Sequence, residues 1–116
     1  MERSEKYAEC LRRIFTWNMF RQPKGTNIDR FELNLNSMLD LSSKFGNPHL
    51  DFKSIHIAGT NGKGSVTIKT ATALQKLNFN TGMFISPHIS TFRERITVNN
   101  IMITQDQVVE YSSKIM

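Results

Sequence analysis

An α/β fold built on a parallel sheet is what this sequence predicts, and three observations predict it. A short apolar run at 55–58, "IHIA", is bounded by chain breakers and reads as a buried strand. The glycine-rich stretch "GTNGKGS" follows at 59–65, and Val66, Thr70, Ala73, Leu74 and Leu77 at helical spacing put a helix over 63–77. "FNTGMFIS" then supplies a second strand over 81–85. Strand, loop, helix and strand in that order form a βαβ unit, which implies parallel pairing of 55–58 with 81–85 through a right-handed crossover.

The remaining elements follow from local patterns. Tyr7, Ala8, Leu11, Ile14, Phe15 and Met19 recur at helical spacing, giving a helix over 4–20. "RQPKGTN" breaks the chain, and Ile28, Phe31, Leu35, Met38, Leu39 and Phe45 mark a second helix over 28–45. Trp17 and the helix-spaced methionines are expected in the core, and His56 is expected to be a packed residue of its buried strand. "PHISTFRER" is polar and irregular, so 86–95 reads as a loop. "ITVNNIMI" at 96–103 has two β-branched runs meeting at Asn99-Asn100, residues that tolerate positive φ, and reads as a hairpin. Thr104 followed by Gln107 is a capping box opening a helix over 104–116. That helix has no further strand to close upon, so the chain is expected to be part of a larger fold.

Composition narrows the function classes. A chain of 116 residues with 39% hydrophobic content supports one modest core. The single cysteine, Cys10, provides no disulfide framework and suits a reducing compartment. "MERSEKYAEC" is too charged for a signal peptide, and no apolar run approaches the ~18 residues of a membrane span. The net charge of +5 favours acidic partners such as nucleotides, but the basic residues are scattered, so nucleic acid is not expected.

The loop at 59–65 carries the chemistry. A helix N-terminus presents unpaired N–H groups and a partial positive charge, which together attract an anion. A phosphate reaches those groups only where side chains are absent, and Gly59, Gly62 and Gly64 meet that need, while Lys63 adds a full charge. The spacing departs from G-x-x-x-x-G-K-[ST]. Only Thr60 and Asn61 separate the first two glycines, and Gly64 stands where a hydroxyl would hold magnesium, with Ser65 one position late. A ligand-free Asn-Gly turn is the alternative, but such a turn has no need of a lysine among three glycines.

"HIAGTNGKGS" resembles the signature of the folylpolyglutamate and dihydrofolate synthases, in the Mur ligase superfamily. "IDRFELN", "KFGNP" and "ISPHISTFRERITVNN" resemble further segments of that family in the same order. The resemblance implies a P-loop NTPase-like, Mur-type ATP-binding domain, of which 1–116 would be the N-terminal portion, without the C-terminal glutamate-binding domain. It implies ATP-dependent addition of L-glutamate to folate or dihydropteroate through an acyl phosphate, with Mg²⁺ required. By itself the chain would be inactive. A cytoplasmic monomer is expected, with a mitochondrial pool as a further location, and no membrane or nucleic-acid partner. Another Mur-type amide ligase and a nucleotide-binding module without chemistry are the alternatives.

The same resemblance assigns residues. Gly59, Thr60, Asn61, Gly62, Lys63, Gly64 and Ser65 would cradle ATP phosphates, and Lys63 would be catalytic. Ser86 would ligate Mg²⁺; otherwise it is a turn residue before Pro87. Pro87, His88, Phe92 and Arg93 would line the folate or pterin loop, with Phe92 stacking on a flat ring and Arg93 or Arg95 meeting a carboxylate. In the alternative, Phe92 is core and Glu94 pairs with Arg95 on the surface. Residues 26–31 resemble, more loosely, a second pterin-side loop.

Overall fold

A computed structural model describes residues 2–19 and 35–115. It comprises two compact units, Met1–Met19 with Ile57–Met116, and Phe20–His56.

In the smaller unit, α2 spans Leu35–Lys44, and the part of the expected helix before residue 35 lies outside the described residues, as do 26–31. Gly46 (φ 76°) and Asn47 (φ 56°) turn the chain after α2, where Asn47 N–H donates to Ser42 C=O at 2.8 Å. Met38 is 61% exposed rather than core; the side chain of Trp17 is not among those described.

In the larger unit, α1 (Arg3–Met19) packs on α4 (Gln105–Ile115). Cys10 and Val108 are buried, and the Cys10 thiol faces the Val108 carbonyl at 3.9 Å. The start of α4 carries the capping box read from sequence: Thr104 N–H donates to Gln107 Oε1 at 2.9 Å, and Gln107 N–H to Thr104 Oγ1 at 3.1 Å. Between them, α3 spans Lys63–Lys76. It ends in a Schellman arrangement around Asn78 (φ 64°), with Phe79 N–H on Leu74 C=O and Asn78 N–H on Gln75 C=O.

The sheet differs from expectation. Strand β1 (Gly82–Phe84) pairs antiparallel with β2 (Ile96–Val98), and β2 pairs antiparallel with β3 (Ile101–Met102). The β2–β3 turn is Asn99-Asn100, both at positive φ, as a two-residue I′ turn requires. Asn99 Oδ1 accepts from Thr81 N–H at 2.9 Å, and Asn100 exchanges hydrogen bonds with the Gln75 side chain, so the hairpin is fastened to β1 and to α3. Among the described residues there is no parallel pair, and 55–58 forms no ladder. Ile55 is 64% exposed and His56 is exposed, so neither is a packed residue of a buried strand. The physical reason is that a parallel strand is stable only when covered on both faces and flanked by neighbours. No described strand lies beside 55–58 to provide either.

Candidate functional site

The glycine loop sits where a helix begins. Gly62 is the N-cap of α3 at φ 76°, a left-handed conformation, and Val66 N–H closes the first helical turn on its carbonyl at 3.0 Å. Having no side chain, Gly62 cannot cap the helix, so the first-turn N–H groups are left to water or a ligand. Gly59 has φ 151°, also a glycine-favouring value. A Cβ added at Gly62 or Gly64 would meet nothing within 4 Å, so internal packing does not demand glycine at either position. Lys63 folds back over the loop: its Nζ donates to Gly59 C=O at 2.6 Å and to Thr60 C=O at 3.2 Å. The ammonium is thereby held at the mouth of the loop on exposed carbonyls that an incoming anion can replace.

The second loop is more ordered than its sequence suggested. Residues Phe92–Arg95 form a 3₁₀ turn opened by a capping box between Thr91 and Glu94. The Glu94 carboxylate accepts from the backbone N–H groups of Ile89 (2.9 Å), Ser90 (2.9 Å) and Thr91 (2.7 Å). The signal T-x-x-E was present in "TFRE" but lay in a stretch read as irregular. Glu94 does not pair with Arg95. Arg95 instead donates through Nε to His88 Nδ1 at 2.8 Å and through Nη1 to Ser86 Oγ at 3.3 Å. Its guanidinium also lies over the Phe92 ring at 5.8 Å. Arg93 Nε donates to the Ile103 carbonyl, tying the turn to the end of β3.

Phe15 of α1 completes the cluster. Its ring meets Phe92 edge-on at 6.1 Å and His88 at 6.3 Å, and His88 meets Phe92 edge-on at 6.3 Å. Helical spacing places Phe15 only on a helix face, since nothing local announces a contact with residues so distant in the chain. The structure thus brings Ser86, His88 and Phe92 together through Arg95, and gathers 59–65 at the start of α3. Among the described residues no hydrogen bond joins the two groups.

The hydrogen bonds to Glu94 predict a pH response. The N–H groups of Ile89, then Thr91 and Ser90, hold its carboxyl below the ordinary 4.5, outweighing a small opposing effect of burial. A depressed folded-state pKa means that the unfolded chain takes up the proton first. The ordering of the loop by Glu94 is therefore fully present above pH 4.5 and is lost as pH falls through the lower folded value. Amide exchange at Ile89, Ser90 and Thr91, corrected for intrinsic rates, should stay protected down to pH 4.5 and weaken below it. In Glu94→Gln the protection should already be reduced at neutral pH; equal protection in the variant would show that Glu94 does not order the loop.

Comparison with known proteins adds the decisive observation. A crystal structure of folylpolyglutamate synthase from Thermotoga maritima superposes with a TM-score of 0.78 and 37% identity, covering 98% of this chain and 24% of that one. The chain is a relative of the folylpolyglutamate and dihydrofolate synthases. A dihydrofolate synthase/folylpolyglutamate synthase of Bacillus subtilis is 41% identical over 73 residues, which is 63% of this chain and 17% of that protein. A folylpolyglutamate synthase of Arabidopsis thaliana is 36% identical over 93 residues, 78% of this chain and 14% of that protein. The chain therefore spans less than a quarter of the length of each of these three relatives. No protein-family model matches it. Among the described residues no helix is long and apolar enough to cross a membrane.

Proposed function

We propose that this chain carries the phosphate-binding loop and part of the folate side of an ATP-dependent ligase that adds L-glutamate to folate or dihydropteroate. The observation that carries this reading is the loop 59–65, with Lys63 poised over it at the N-terminus of α3. The chain corresponds to the N-terminal portion of such an enzyme's ATP-binding domain.

In the reaction, the terminal phosphoryl group of ATP passes to a substrate carboxylate, giving an acyl phosphate and ADP. The amino group of glutamate attacks the acyl carbon, the C–N bond forms, a proton leaves the nitrogen and phosphate departs. The first-turn N–H groups of α3 and the loop around Gly62 bind the phosphates, and Lys63 leaves its two carbonyls to offset charge on the group in transfer. Mg²⁺, when bound, neutralises phosphate oxygens. Ser86 would supply one oxygen to it, which fits a cation that takes one or two protein ligands and otherwise water and phosphate. Ser86 Oγ has two lone pairs, so accepting from Arg95 leaves one for a metal. Among the described residues no three His, Cys, Asp or Glu side chains stand together to complete such a site.

The folate side is the cluster of His88, Phe92 and Arg95. Phe92 is half-buried against Phe15 and still presents ring surface for stacking. The test is phosphate release from ATP by the natural polypeptide that carries this chain. Release that requires both a folate substrate and glutamate is expected, with amide product in equal amount. The 116-residue chain alone should release none. Tight ATP binding by the natural polypeptide with no folate-dependent turnover would instead identify a nucleotide-binding module.

A further inference from the structure

The loop at 86–92 is held by two devices that do different things. Glu94 binds three consecutive backbone N–H groups and so fixes the path of the chain. The Arg95 guanidinium instead meets side chains: the Ser86 hydroxyl, the His88 ring nitrogen and the Phe92 face. One planar group thus reaches the two ends and the middle of the loop.

The Arg95–His88 contact determines a chemical state. A guanidinium has N–H donors and no acceptor, so a 2.8 Å approach of Nε to Nδ1 requires Nδ1 to carry no proton. A neutral imidazole with a bare Nδ1 carries its hydrogen on Nε2. The ring is also fixed in rotation, because Phe15 and Phe92 lie against it. His88 is therefore set as an Nε2–H donor, suited to a ring nitrogen or carbonyl oxygen of a planar heterocycle. Lysine could not do this: a single ammonium on a flexible stem cannot donate to Ser86 and His88 at once while stacking on Phe92.

We infer that Arg95 is the positioning residue of this loop, holding the Ser86 hydroxyl and the Nε2–H form of His88 beside the Phe92 ring so that a flat substrate ring meets a fixed donor. The inference rests on the proposed function for its substrate, but its geometry is measurable without turnover. In the ¹⁵N-labelled natural polypeptide, a scalar coupling across the hydrogen bond should link Arg95 Nε with His88 Nδ1, and it should vanish in Arg95→Lys. In kinetics, Arg95→Lys should raise KM for the folate substrate about tenfold or more, as misplacement of a binding group does. KM for ATP should change far less, because Lys63 and the glycine loop are untouched and only the Ser86 hydroxyl loses a donor. Absence of the coupling in the parent protein overturns the inference, and so does an unchanged folate KM in Arg95→Lys. A parent protein that shows the coupling but no folate-dependent ligation overturns the functional reading and leaves Arg95's hold on the loop supported.

Discussion

Lys63→Ala should lower turnover of the natural polypeptide by about a hundredfold or more while leaving its unfolding transition nearly in place. The two effects separate because the lysine does different work in each state. In the folded protein it is exposed and donates to two carbonyls, of Gly59 and Thr60, that water can satisfy in its absence. Loss of such contacts is typically within about 0.5 kcal/mol. In the transition state the same ammonium would face the phosphoryl group, where charge is concentrated and water is excluded. Steady-state kinetics with saturating ATP, set beside thermal unfolding of both proteins, makes the measurement. Near-normal turnover in the variant would remove Lys63 from the mechanism, and a large drop in Tm would mean that it holds the loop together.

Gly62→Ala should also be strongly inactivating, and the structure provides its own control. Gly62 and Gly46 have the same φ of 76°, and a Cβ at either meets nothing within 4 Å. Alanine at each position therefore bears the same strain of a left-handed residue, roughly 1–2 kcal/mol, and no steric clash. The two variants should lose similar stability. Only Gly62→Ala should lower kcat/KM for ATP, by about tenfold or more, equivalent to ~1.4 kcal/mol of lost transition-state stabilisation, because its methyl group would occupy the space assigned to phosphate in the proposed function. Chemical denaturation and ATP kinetics on the pair read both effects. Equal activity in the two variants would make Gly62 an ordinary turn glycine.

Much of this site was legible residue by residue because its signals are local. Three glycines around a lysine, directly before helical spacing, specify a loop with few side chains and a helix from Lys63, and the structure adds the positive φ at Gly59 and Gly62. The Asn99-Asn100 turn and the Thr104 capping box were equally explicit, since each depends on which backbone angles or hydrogen bonds a single side chain permits. The sequence by itself determined these features, because each is set by a few neighbouring residues.

The partners of each element were decided only by tertiary structure. An apolar tetrapeptide between breakers has the same period whether or not another strand lies beside it, so 55–58 read as a buried strand although it forms no ladder among the described residues. Strand β1 takes β2 as its neighbour in antiparallel register, a choice fixed by where the 86–95 loop returns the chain. That loop is in turn fixed by Glu94 closing on three N–H groups and by Arg95 reaching back to Ser86 and His88. Phe15 reaches the same loop only because α1 packs on α4, which brings residues far apart in sequence into contact. Side-chain convergence of this kind has no periodicity, because it depends on the directions of several elements at once, and those directions exist only after packing.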